Sequence, residues 1–210
     1  MANHMNVRTI IKTSASVLGL LLISLSACIS YSFYVSRKAE KCLTALQQLR
    51  LGSSTEEEAL QALQPFQRFE VAGTATIDGK DYSRRVYLFK NDGLHLLGIF
   101  HPALFQVSLT FRDRVVFERS ASFYQEPSHE VITRESIAGL SQNPNLAEYS
   151  SGMMVGVYDP PVRMDIFLDT RASAADRKAA YQFNLACFSS LHGCSSVYEI
   201  LPGVKQQHAK

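Results

Sequence analysis

Cysteine and histidine are the residue types in this 210-residue chain best suited to chemistry, and their densest grouping is Cys187, His192 and Cys194 in "CFSSLHGC". Three chemistries compete for them. A disulfide between Cys187 and Cys194 needs a short Cα separation, which follows if a helix ends at a left-handed Gly193 and the chain folds back over its last turn. A Cys-x4-His-x-Cys metal site needs a fourth ligand, and Cys42 or His95 would have to be recruited from afar. A thiol enzyme needs a base for Cys187, and His192 is the only one at hand. The disulfide asks least of the rest of the chain, on condition that the domain is exported to an oxidising space.

Other chemistry finds little support. Asp165 and Asp169 on one strand would lie about 13 Å apart, too far for a shared metal or a retaining carboxylate pair, and surface placement explains them. His4 and His208 fall in the tails, and His95, His101 and His129 fall near strand ends or turns. No GxSxG, HExxH, Walker loop or GxGxxG occurs, so no cofactor is called for. The Glu56-Glu57-Glu58 triplet reads as helix-start electrostatics rather than a metal patch.

Cys28 carries a different chemistry. Leu25-Ser26-Ala27-Cys28 resembles the lipobox of bacterial lipoproteins, in which the cysteine is lipidated and becomes the new N-terminus. The competing reading is an uncleaved membrane anchor. Thr13 to Ser36 is free of charge, and 24 residues make roughly 36 Å of helix, enough for a hydrocarbon layer of about 30 Å. Arg8 and Lys12 precede it. Tyr31, Phe33 and Tyr34, followed by Arg37 and Lys38, form an aromatic and basic exit at headgroup level. A lipidated cysteine normally leads into a polar tether, whereas Ile29 to Val35 is apolar and aromatic, which favours the anchor.

Sidedness is read from opposing signals. Arg37, Lys38, Lys41 and Arg50 after the segment outnumber Arg8 and Lys12 before it, which favours a cytoplasmic domain. The cysteine pair and the signal-like opening favour the outside, and an extracytoplasmic domain is the expectation. All 19 acidic residues and 19 of the 21 basic ones lie after Ser36. A neutral domain without a basic stripe has no footprint for nucleic acid.

The positioning elements follow from periodicity. Residues 1–12 read as a tail, 13–36 as the anchor, 37–66 as two short helices, 67–203 as a β-rich domain with a C-terminal helix, and 204–210 as a flexible tail. Ala39, Cys42, Leu43, Leu46 and Leu49 recur at helical spacing, predicting a helix that leaves the membrane directly and ends at Gly52, with Cys42 in the core. Ser54 capped by Glu57 opens the second helix, and Pro65 stops it.

From Phe69 to Leu168 the period is two. Thr74 to Ile77 and Tyr82 to Lys90 flank an Asp78-Gly79 turn, and Asn91-Asp92-Gly93 turns the chain toward Leu94 to Phe100. Phe105, Val107, Leu109 and Phe111 share one face. After the Arg112-Asp113-Arg114 turn, Val115, Phe117, Ala121 and Phe123 share the next, with Arg119 a misfit. A polar stretch, "SQNPNLAEYSSG", precedes a last hairpin of "MMVGVY" and "VRMDIFL" joined through Asp159-Pro160-Pro161. Links this short predict antiparallel pairing. A helix over 174–191, opened by Ser173 and Asp176 and presenting Tyr181, Leu185 and Phe188, covers one sheet face. The tail after Pro202 reads as frayed. The fold class is therefore α+β: a transmembrane helix, then a mostly antiparallel sheet packed against a C-terminal helix.

Two stretches carry resemblances. "LRLGSSTEEEALQALQPF" is similar to the opening of small outer-membrane lipoproteins of the barrel-assembly machinery, but lacks the Gly usual before the proline. The whole arrangement, ending in Cys187, His192, Gly193, Cys194, Leu201 and Pro202, resembles a group of uncharacterised single-pass bacterial membrane proteins. That resemblance implies location and architecture only. The expectation is a membrane-anchored extracytoplasmic binding or envelope-assembly module, with the lipid bilayer and an envelope protein as its partners.

Overall fold

One helix, α1 (Val7–Gln48), runs unbroken through the whole N-terminal region and on into the domain. The computed structural model describes residues 7–77, 80–91, 102–126, 129–137, 147–158, 162–190 and 193–204. From Ser14 onward α1 is long and apolar enough to cross a membrane. Its two halves behave oppositely. Val17, Leu18, Leu20, Leu21, Leu22 and Ile23 are exposed, Ile23 by 68 %. From Ser32 onward a stripe of Ser32, Val35, Ala39, Cys42, Leu43, Leu46 and Leu49 is buried, the i, i+3, i+4, i+7 pattern of a helix lying on a core. Each buried Val or Leu there contributes up to about 1.5–3 kcal/mol. The short helix expected after the anchor is thus the same helix continued. It ends at Gln48, before the left-handed Gly52, whose φ is +75°.

Helix α2 (Glu56–Leu63) starts one residue later than expected. Thr55, not Ser54, caps it, and Glu58, not Glu57, reaches back to the Thr55 amide. The α-helix stops at Leu63, and Pro65 sits within a following 3-10 turn, Gln64–Phe69. That geometry tolerates proline early because the missing N–H had no partner to lose.

The described strands are β1 (Glu70–Ile77), β2 (Lys80–Lys90), β3 (Ala103–Arg112), β4 (Val115–Gln125), β5 (His129–Ser136), β6 (Ala147–Ser150), β7 (Met153–Tyr158) and β8 (Arg163–Leu168). They form one sheet in the order β1-β2-β3-β4-β5-β8-β7-β6. The architecture is α+β, and the sheet is mostly antiparallel. Its exception is β5 beside β8, which is parallel. The short links along the chain did not predict it, because the crossover is not a single link: the chain leaves β5, builds β6 and β7 at the far edge, and returns as β8. Part of the polar stretch read as a separator is itself a strand, β6.

Ile77 pairs with Lys80, the spacing of a two-residue turn, while Asp78-Gly79 itself lies outside the described residues. So do Asp92-Gly93, Leu94 to Phe100, and Asp159-Pro160-Pro161. At the β3–β4 turn Asp113 and Arg114 have φ of 53° and 63°, the mirror-image turn that matches strand twist. A bulge between Thr110 and Phe111 then shifts the alternation by one. Val116 is consequently the core residue, and Val115 and Phe117, expected inward, are half-exposed.

The predicted single helix over 174–191 is broken. Helix α3 (Ala174–Ala180), with its Ser173–Asp176 capping box, ends at Tyr181, and α4 (Ala186–Ser189) follows after an irregular turn. Tyr181, Leu185 and Phe188 are all buried, but from turn and short helix rather than one stripe. A last helix, α5 (Val197–Ile200), leads to buried Leu201 and Val204, so the chain is packed two residues past Pro202. One face of the sheet thus lies under the C-terminal half of α1, α2 and the C-terminal segment, with Phe89, Phe105, Val107, Phe123 and Ile166 beneath them.

Candidate functional site

The site best built by this fold is the junction between helix α1 and the domain, which has two ends. At the end where the exposed apolar half of α1 gives way to the buried stripe, a collar of hydrogen bonds holds the helix. Ser32, fully buried, donates through Oγ to Asn91 Oδ1 at 2.6 Å, and Asn91 Nδ2 donates to the Phe188 carbonyl at 2.5 Å. One turn on, Ser36 Oγ donates to the Leu185 carbonyl at 3.0 Å. Two serines on one helix face thus reach α4 and its preceding turn, one directly and one through Asn91, the residue after β2.

The cysteine pair belongs to the same collar. Cys187 on α4 and Cys194 form a disulfide with Cα atoms 5.2 Å apart. Gly193 precedes it with φ of +63°, and a Cβ there would collide with the Gln125 side chain. The close approach has a purpose: Gln125, at the end of β4, accepts from the Cys194 amide at 2.9 Å and donates to its carbonyl at 3.1 Å. Ser195 donates its amide and hydroxyl to Glu199, both at 2.8 Å, and these bonds hold the Glu199 carboxyl below the usual range.

At the far end, Arg119 explains the apparent misfit on β4. Its guanidinium donates to the carbonyls of Leu46, Gln47 and Leu49, at 3.1, 3.1 and 2.7 Å. These lie at the C-terminus of α1, where backbone carbonyls lack the next helical turn's donors; the Leu46 carbonyl also accepts from the Leu49 amide at 3.2 Å. Glu135 on β5 neutralises it at 2.6 Å, and Arg177 on α3 bonds the other Glu135 oxygen at 2.7 Å. The side chains of Arg119 and Glu135 are 7 % and 3 % exposed. Tyr181 lies against Arg119 and donates to its carbonyl at 3.3 Å, and burial pushes its phenol well above the usual value.

The remaining predicted residues are placed as follows. Cys28 is a half-exposed free thiol on α1, one turn before Ser32. Cys42 is a buried free thiol, pushed up to about 12 by burial. Tyr31, Phe33, Tyr34 and Arg37 are exposed, and Lys38 is half-buried. Asp165 and Asp169, expected on the surface, are both buried, each held by an arginine two residues away, Arg163 at 3.0 Å and Arg171 at 2.7 Å. His129 begins β5, with Nδ1 buried and without a hydrogen-bond partner among the described residues. His4, His95, His101, His192 and His208 lie outside the described residues. Among the described residues no group of three or more His, Cys, Asp or Glu is arranged to hold a metal.

Sequence reasoning did not find Asn91, Glu135, Arg177 or Gln125 as partners, because each acts on another element, across 16 positions for Glu135 on Arg119 and 42 or more for the others. Arg119 was signalled, as a charge on an apolar face. Ser32 was passed over, although it stands at helical spacing from Val35, Ala39 and Cys42. No protein-family model, no curated protein and no solved structure matches the chain.

Proposed function

We propose that the chain is a single-pass membrane protein whose α+β domain sits against the outer side of the bilayer and serves there as a binding or envelope-assembly module. The observation that carries this reading is the uninterrupted passage of α1 from an exposed apolar stretch into the domain core. A hydrophobic rod left in water would be costly, and lipid removes that cost. Because the collar begins at Ser32, only about 18 residues, Ser14 to Tyr31, are left for the hydrocarbon, about 27 Å of helix. The domain then rests on the bilayer without a flexible tether. Its anchor and its core are one rigid element.

The Cys187–Cys194 bridge supports the extracytoplasmic side, since such bridges persist in oxidising compartments. The resemblance to single-pass bacterial membrane proteins with the same C-terminal pattern is part of this proposal. Lipidation at Cys28 is the alternative. It is disfavoured because Ile29, Tyr31, Phe33 and Tyr34 are exposed just after Cys28 and would need an apolar surrounding of their own. The sheet face away from α1 is the surface offered to a partner. It carries half-buried Arg84 and Glu118 and exposed Arg134 over the buried hydroxyls of Ser108 and Ser120, with Arg84 donating to Ser108 at 3.1 Å. That face, which also exposes Val71 and Tyr124, suits a partner with both polar and apolar groups.

A periplasm-dependent reporter fused behind Lys210, together with mass spectrometry of the N-terminus, tests the reading. Activity of the fusion and an unmodified Cys28 in an uncleaved chain are expected. A reporter active only in the cytosol overturns the sidedness, and an acylated N-terminal cysteine overturns the anchor.

A further inference from the structure

We propose that the flank of α1 bearing Lys38 and Lys41, together with Arg68 and the Tyr34 ring, binds the phosphate of anionic phospholipids where the helix leaves the hydrocarbon. This inference rests on the anchor reading above.

Four observations carry it. Arg68, on the 3-10 turn after α2, places its guanidinium 4.7 Å from the centre of the Tyr34 ring, and Lys38 Nζ stands 5.8 Å from the same ring and 5.9 Å from that of Phe66. Two cations from separate elements are thus gathered around one exposed aromatic by the fold. At about 100° per residue, Tyr34, Lys38 and Lys41 fall within an arc of about 60°, while Glu40 lies about 160° from Lys38. Neither Lys38, Lys41 nor Arg68 forms an ion pair among the described residues, and the nearby Glu70 is already bound to Arg85 at 2.7 Å.

Depth is the fourth observation. Tyr31 ends the apolar stretch, and Tyr34 and Lys38 lie about 4.5 and 10 Å further along the axis, the level of the headgroup layer. Uncompensated cations beside an amphipathic ring at that height match a phosphodiester anion on a lipid. The proposal also accounts for the basic excess after the apolar segment in a domain read as external: those charges are matched to headgroups rather than to the cytoplasmic side.

The full chain reconstituted in vesicles of mixed phosphatidylcholine and phosphatidylglycerol, floated and then examined by native mass spectrometry, tests this. Retained lipid should be enriched in phosphatidylglycerol, and Arg68→Gln should lower that enrichment about fivefold. Lys38→Gln should act in the same direction, with unchanged thermal unfolding confirming that both variants fold. Equal retention of the two lipids by the wild type, or full enrichment in the Lys38→Gln/Arg68→Gln double variant, overturns the proposal while leaving the anchor intact. Excess inorganic phosphate should not displace the lipid; if it does, the site is one for free phosphate and the lipid assignment falls. A chain that fails to float overturns both this inference and the reading beneath it.

Discussion

Arg119 and Leu49 meet end to end: the guanidinium from the middle of β4 donates at 2.7 Å to a carbonyl just past the end of α1. The contact joins the element that emerges from the apolar half to a central strand, and Glu135 holds the charge in balance. The helix is therefore gripped at both ends of its buried half, by Arg119 at one and by Asn91 at the other.

Arg119→Met should be severe. It leaves the buried Glu135 carboxylate with Arg177 as its remaining ion-pair partner and removes the side-chain donor from the Gln47 and Leu49 carbonyls, a loss of about 1–3 kcal/mol for each acceptor left unpaired. Replacing Glu135 by Met in the same chain should add less than that substitution costs alone, because the Arg119–Glu135 ion pair is lost only once. Denaturant unfolding in mild detergent measures both, and a single variant within 1 kcal/mol or so of wild type would show that the clamp contributes nothing.

Asn91→Ala breaks the collar. It leaves buried Ser32 without its acceptor and the Phe188 carbonyl without its donor, at a cost of about 1–3 kcal/mol per stranded group. Hydrogen exchange should rise first in α4, which loses its tie to the helix. Unaltered protection there would argue that the relay is not what positions α4.

The thiols should separate by chemistry. Denatured and unreduced, the protein should label at Cys28 and Cys42 only, and reduction should add Cys187 and Cys194. In the folded state Cys42 should resist maleimide, because burial raises its thiol to about 12. Cys187→Ser/Cys194→Ser should cost about 2 kcal/mol, as expected for so short a loop. Four labelled thiols before reduction would remove the bridge and the oxidising compartment with it.

Acid should loosen the β8–α3 corner. The Asp169 carboxyl is held below its ordinary value, first by its side-chain hydrogen bond to Arg171 and also by the Arg171 amide. With the folded value depressed, the unfolded chain binds the proton more readily. The stabilisation is therefore complete above the ordinary carboxylate value near 4 and is lost as pH falls through the folded value. Asp176, lowered first by the Ser173 hydroxyl, has the same sign. Asp169→Asn should lower stability at neutral pH and flatten the pH profile below about 4. An acid limb as steep as that of wild type would place the effect elsewhere.

What could be read from the chain was whatever repeats locally. The apolar stretch, the stripe from Ala39 to Leu49, the Ser173 capping pair and the Cys187–Cys194 bridge all rest on neighbours within a few turns, where spacing says most about which side chains meet. Local irregularities were less legible. The cap moved by one residue to Thr55, the bulge exchanged Val116 for Val115 and Phe117, and the last helix broke at Tyr181, because in each case packing overrode propensity by about the small energies that separate such alternatives.

The sequence by itself determined that an uncharged apolar segment precedes an α+β domain, and it favoured a bridge between two cysteines near the C-terminus over the other chemistries open to them. Only the tertiary structure decided that the apolar N-terminal helix is also the spine of the core, that β8 runs parallel to β5, and that Arg119 is a helix cap rather than a misfit. The reason is physical: a buried guanidinium or amide is tolerated only where distant chain segments supply its partners, and no periodicity along one strand encodes what the other segment will bring.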